Sequence, residues 1–124
     1  MTETTVGGAD STFDGSLTDM TGQGTVTVDV GAEGNGGNYA FAPSAVAIST
    51  GTTIEFNWTG EGQQHNVEAL PEEQLQESDY TFSSGEPIQA TGVQYSYTFD
   101  QAGIALYHCE PHLPLGMKGG IAVV

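Results

Sequence analysis

From Thr25 the chain alternates apolar and polar positions. TVTVDV (25–30) sets valine at every second place, the period of a half-buried strand. The Gly/Asn cluster GAEGNGGN (31–38) interrupts it, and the apolar run YAFAPSAVAIS (39–49) follows. After the turn STG comes TTIEFNW (52–58), again with period two, and HNVEAL (65–70) gives a short strand. QYSYTFD (94–100), GIALYHC (103–109) and GGIAVV (119–124) complete the series. Only PEEQLQESDYTF (71–82) points to helix, with Pro71 suited to a start and Glu72 and Glu73 to a first turn. One short helical turn is expected near 71–78. Residues 1–12 carry no apolar period and are expected as a flexible acidic leader. About seven to eight short strands separated by turn signals predict an all-β sandwich over residues 13–124, with no repeat and no second domain.

Charge changes the picture next. Sixteen acidic residues stand against one basic residue, Lys118, for a net charge of −15 in 124 residues. Such self-repulsion strains a compact chain in dilute buffer. In molar salt the screening length falls to about 3 Å and the repulsion nearly vanishes. The composition therefore implies work in concentrated salt. It excludes charge-driven binding to nucleic acid or to an anionic membrane surface. A single cysteine excludes an internal disulfide and leaves a free thiol, a metal ligand or a nucleophile. No apolar run approaches the roughly 20 residues of a membrane-spanning helix. The N-terminus has no charged segment followed by an apolar one, so no export signal is read in it.

The chemistry concentrates in YHCEPHLPLGMKGG (107–120). If GIALYHC is a strand, Tyr107 and Cys109 face one way and Leu106 and His108 the other, which puts Cys109 at an inner strand end. A loop stiffened by Pro111 and Pro114, and freed to turn at Gly116, can return His112 and Met117 to the thiol. Thiolate, imidazole and thioether are the soft donors of a trigonal His₂Cys copper site with a long axial Met. Such a site needs a second histidine, and His65, opening HNV, is the one histidine outside this loop. Singly, a buried cysteine, a histidine or a methionine is ordinary core or packing material. It is the joint spacing in strand–loop context that carries the metal reading.

HNV followed by Cys-x-x-His-x-x-x-x-Met resembles the cupredoxins, specifically their plastocyanin-like group. The longer stretches FDGSLTDMTGQGTVTVDVGAEGNGGNYAFAP, TGEGQQHNV and CEPHLPLGMKGG are similar to the halocyanins of salt-loving archaea. The resemblance implies a cupredoxin-like Greek-key sandwich with one copper ion on His65, Cys109, His112 and Met117. It implies a mononuclear type-1 carrier of single electrons in a respiratory chain at high salt, not an enzyme, with no small-molecule substrate. Asn66 is expected to tie the His65 loop to the Cys109 loop. Trp58 and Phe56 read as core. His108 takes the place of an outward aromatic residue and is expected half-exposed, near a remote electron port. A nitrite-reductase-like enzyme fragment would use His108 on a second copper, but no further histidines are left to complete that site. A copper-storage or delivery module and a purely structural sandwich also compete with the carrier. Redox proteins are expected to dock on the apolar surround of His112, formed with Leu113, Pro114 and Leu115, on a monomer. Placement at the outer face of the cell membrane follows from the resemblance alone and would need N-terminal signals absent from this sequence.

Overall fold

The computed structural model describes residues 18–69, 79–115 and 117–124. The expected leader (1–12), the helical turn near 71–78 and the turn at Gly116 lie outside them. The described residues form ten strand segments, seven of them four residues or longer. They are β1 (Thr18–Asp19), β2 (Thr25–Gly34), β3 (Gly37–Ala42), β4 (Ala45–Ile48), β5 (Thr52–Trp58), β6 (Glu68–Ala69), β7 (Phe82–Ser83), β8 (Gly92–Phe99), β9 (Gly103–His108) and β10 (Lys118–Val123). One sheet runs β1-β4-β10-β9-β6-β7 and the other β3-β2-β5-β8. The all-β sandwich expected from the alternating pattern is the one observed.

The period-two pattern aims the core. Val26, Val28 and Val30 of β2 and Ile54, Phe56 and Trp58 of β5 are buried in one core with Ala105 and Tyr107 of β9, Cys109 just beyond it, and Ile121 and Val123 of β10. Burying apolar area of this kind is worth about 25 cal/mol per Å² removed from water. The Gly/Asn cluster turns out to be a hairpin turn. Asn35 (φ 58°) and Gly36 (φ 87°) both adopt left-handed conformations, as a two-residue turn between twisted strands requires.

Two expectations need correction. The run 39–49 is not one strand: β3 belongs to one sheet and β4 to the other. Pro43 between them has no N–H to continue a ladder, so the chain crosses sheets there. Phe82, assigned to a helical stretch, lies instead on β7, where its ring packs against Tyr97 (centroids 4.9 Å) and Phe99 (5.9 Å).

At one end of the sandwich, β5 runs out at Trp58 and the loop after it leads to His65. There β9 also ends, Cys109 follows, and a short 3-10 helix (Glu110–Leu115) leads back to Met117 and β10. The antiparallel pairing of β9 with β10 forces this last loop to close on itself.

Candidate metal centre

Three of the four predicted ligands meet through their donor atoms. Cys109 Sγ lies 3.5 Å from His65 Nδ1 and 3.4 Å from His112 Nδ1, and the three donors are all within 4.8 Å of one another. All three residues are buried. Met117 is fully buried in the same cluster as Cys109, and its backbone closes the loop. Cys109 N–H donates to Met117 O (3.1 Å), His112 N–H to Cys109 O (3.2 Å), and Met117 N–H to His112 O (3.3 Å). The 3-10 helix thus fixes the Cys–His and His–Met spacings that the sequence displays.

His65 is set by its surroundings on every side. Its backbone exchanges two hydrogen bonds with Ile88, each 2.9 Å. Its carbonyl accepts from Trp58 Nε1 (3.1 Å), and its Nε2 donates to the Glu61 carbonyl (2.7 Å). Because a carbonyl can only accept, that bond puts the ring proton on Nε2. In the neutral ring the lone pair is then on Nδ1, facing Cys109. Glu61 is held in turn through Thr59, whose Oγ1 accepts from Glu61 N–H (3.1 Å) and donates to Gly31 O (2.8 Å). Gly62 is required for close approach. It has φ +77°, and a Cβ there would collide with the Asn38 carbonyl oxygen and stand 2.8 Å from His65 Nε2.

Asn66 occupies the tie position expected of it. Its Oδ1 accepts from Glu110 N–H (2.7 Å) and its Nδ2 donates to Gly85 O (3.1 Å), joining the His65 segment to the Cys109 loop. Burial pushes the Cys109 thiol up to about 11, while the backbone N–H groups of Asn66 and His112 pull it down. Burial lowers both His65 and His112, so both rings favour their neutral, ligating form.

This donor set fits copper. Two neutral imidazoles, one with its lone pair fixed toward the thiol, and a sulfur that a metal would deprotonate outright converge in a closed, apolar surround. The bonds His65 makes to the Glu61 carbonyl and accepts from Trp58, and the tie of Asn66 to the Cys109 loop, hold the donor segments from behind, the arrangement that keeps metal ligands in place. Trp58 and Glu61 were not singled out from sequence for this. The need of a buried indole N–H for an acceptor was a signal for the first. A backbone carbonyl leaves no signal for the second.

His108 departs from expectation. It is 3% exposed, not half-exposed. β6 lies directly beside β9, with Glu68 opposite His108 in register, and Glu68 Oε1 sits 3.4 Å from His108 Nε2. The other ring nitrogen, Nδ1, is buried without a hydrogen-bond partner among the described residues. His108 is therefore a covered strand residue paired with a carboxylate.

Comparison with known proteins agrees with this site. Residues 26–124 match the family of copper binding proteins of the plastocyanin/azurin type. Halocyanin of Natronomonas pharaonis is 43% identical over 111 residues, covering 90% of this chain and 63% of that protein, so the chain spans somewhat less than two thirds of its length. Plastocyanin of Scenedesmus fuscus is 38% identical, over 79% of this chain and 98% of that one. Among solved structures, pseudoazurin from Methylobacterium extorquens AM1 superposes with a TM-score of 0.55 at 26% identity, covering 80% of this chain and 74% of that one. A Cu(I) amicyanin mutant shares the fold, with a TM-score of 0.60 at 22% identity over 82% and 83% of the two chains. With its site and its sequence in agreement, the chain belongs to the plastocyanin/azurin family of copper-binding proteins.

Proposed function

We propose that the protein is a mononuclear blue-copper electron carrier, with His65, Cys109, His112 and Met117 as the ligands of one copper ion. The observation that carries this reading is the convergence of Cys109 Sγ with the two Nδ1 atoms inside 4.8 Å, in a buried pocket of hydrogen-bonded loops. Copper, when bound, supplies a one-electron couple between Cu(II) and Cu(I). The protein's part is to keep the donors still, so that little rearranges as the charge changes. His65 is pinned through Glu61, Trp58 and Ile88, Cys109 through the backbone of Met117, and the two loops through Asn66. Membership of the plastocyanin/azurin family and the similarity to halocyanin and plastocyanin favour a carrier over an enzyme.

Residues 13–124 form the copper domain in this reading, with 1–12 as an acidic leader. Docking rests on the short helix that carries His112, Leu113, Pro114 and Leu115. Its Leu115 is 49% exposed, and the adjacent His112 is 8% exposed, more open than His65. A net charge of −15, screened in molar salt, leaves brief apolar contact as the means of meeting a redox partner. The similarity to halocyanin supports the same setting and an extracytoplasmic place at the membrane's outer face.

Adding Cu(II) to metal-free protein tests the reading. One copper per chain, an intense visible charge-transfer band and a reversible one-electron wave are expected, and Cys109→Ser should abolish the band. A colourless complex in the unaltered protein overturns the proposal. Two coppers per chain would favour the enzyme, and tight Cu(I) binding without a reversible wave the delivery module.

A further inference from the structure

The ring of Tyr39 lies against the ring of His112, with centroids 4.6 Å apart and planes tilted by 38°. No motif marks Tyr39, but three features seat it. Gly37, two residues earlier on the same face of β3, provides the floor: a Cβ there would stand 2.6 Å from Tyr39 Cε2 and 3.0 Å from Cδ2. Asn35, in the hairpin turn, donates from Nδ2 to the Tyr39 carbonyl at 2.7 Å and fixes the backbone beneath the ring. The ring is half-buried and packs against the core, so it is held on its inner edge as well. On its far side His112 meets His65, ring centroids 4.9 Å apart. Gly37, Tyr39, His112 and His65 thus form one row of contacts across the end of the sandwich, with the rings tilted against one another.

His112 needs such a seat. Its backbone is fixed by the loop, but the described hydrogen bonds of its ring amount to the contact of Nδ1 with Cys109 Sγ. Its ring orientation is otherwise a matter of packing, and an imidazole turned about its χ angles would take Nδ1 away from the sulfur.

We propose that Tyr39 is a positioning residue for His112, an aromatic clamp, seated on Gly37, that holds the imidazole facing Cys109 whether or not the ligand bond to the metal is made. The inference rests on the copper reading for its consequence, but the clamp itself is a property of the chain. A ring pair of this kind shifts a local equilibrium about two- to tenfold. A clamp that fixes one rotamer would lower the rearrangement accompanying electron transfer, because the His112 ring would keep its orientation as the charge at the site changes.

Three variants test it: Tyr39→Phe, Tyr39→Leu and Gly37→Ala. The first readout is ring-carbon NMR relaxation of His112 in the metal-free protein, which needs no copper chemistry. One fixed ring conformer is expected in the unaltered protein and in Tyr39→Phe. Tyr39→Leu should raise the population of a second conformer about two- to tenfold. Gly37→Ala should do the same by pushing the tyrosine ring off its floor, from a position that does not touch His112. With copper, electron self-exchange should slow by a similar factor in these two variants, and the Cu(II) hyperfine coupling should shift, while Tyr39→Phe stays unchanged. An unaltered His112 ring and self-exchange rate in Tyr39→Leu overturn the clamp. Should that variant not fold, an unaltered ring in Gly37→Ala does so. Absence of the blue band in the unaltered protein sinks the electron-carrier reading instead, and leaves the metal-free ring measurement to judge Tyr39.

Discussion

The two histidines of the site are held by different physics. His65 is fixed by hydrogen bonds: Nε2 to Glu61 O, the carbonyl from Trp58 Nε1, and a two-way backbone bridge to Ile88. His112 is fixed by a turn of helix and by packing against two tilted rings, Tyr39 and His65. The first arrangement chooses a tautomer, since a carbonyl acceptor leaves no freedom about where the proton sits. The second chooses only an orientation, and leaves the ring 8% exposed against 1% for His65. The electron carrier proposed above would use both kinds of ligand. One must be immobile whatever the charge, and one must come close enough to the surface for a partner to reach it.

If that contrast is right, the hydrogen-bonded side should be the harder to alter. Gly62→Ala makes the largest change. An alanine at φ +77° is strained by about 1–2 kcal/mol, and its Cβ must also push on the Asn38 carbonyl and on His65 Nε2. A loss of about 3 kcal/mol in urea unfolding of the metal-free protein is expected, with copper affinity reduced and the blue band shifted. A stable variant with an unshifted band would mean that the Glu61–His65 contact does not set the ligand. Next in size is Asn66→Ala, which cuts the tie between the two sides. It removes two side-chain hydrogen bonds, but Glu110 is exposed and its N–H can turn to water, so about 1–2 kcal/mol should be lost. The double variant with Tyr39→Leu sharpens the comparison. If Asn66 couples the loops, the two losses should not add.

The residues proposed as ligands could be read from the sequence, and so could the Asn66 tie, but most of the contacts that hold them could not. Cys109, His112 and Met117 share one loop, so their spacing survives in the linear chain. His65 was accessible because the loop histidines leave a single candidate outside. The alternation of Val26, Val28 and Val30 and of Ile54, Phe56 and Trp58 reported the two inner faces directly. Glu61 and Trp58 touch His65, and Tyr39 touches His112, through contacts that exist only once β3, β5 and β9 are brought to one end of the fold. His108 illustrates the limit: alternation along β9 correctly put it on the face opposite Cys109. Whether that face is open depends on β6 lying alongside, and two residues of strand leave little trace in a hydrophobic pattern. The same holds for the switch of sheets at Pro43, where apolar residues continue on both sides of the break.

A smaller effect follows from protonation. Burial holds both rings below the ordinary histidine value of about 6.5. In the unfolded chain they take up protons near that pH, and in the folded metal-free protein they do so only at lower pH. Below about 6.5 the unfolded state therefore binds more protons, and stability should fall as pH drops through this range and level off above it. The contrast between the sides appears in where the proton lands. His65 Nε2 already carries one toward Glu61, so its second proton must enter Nδ1, beside the sulfur. Nitrogen-15 shifts should locate it there. Arrival of the first titrating proton on His65 Nε2 would show that the Glu61 bond does not fix the tautomer.

The smallest structural change should have the clearest functional consequence. Leu115→Asp alters a side chain 49% exposed, so stability should move by less than about 0.5 kcal/mol and the blue band should stay. One added charge on a surface already at −15 matters little to long-range repulsion when the screening length is about 3 Å. A desolvated contact is different, because a carboxylate pressed into an apolar patch must give up water. Electron self-exchange between two copies in molar KCl should therefore slow several-fold. Ile88, 40% exposed and bridged to His65, offers the matching test on the opposite side. If Ile88→Asp slows exchange and Leu115→Asp does not, electrons leave beside the hydrogen-bonded ligand, and the division of labour between the two histidines is the reverse of the one argued from their exposure.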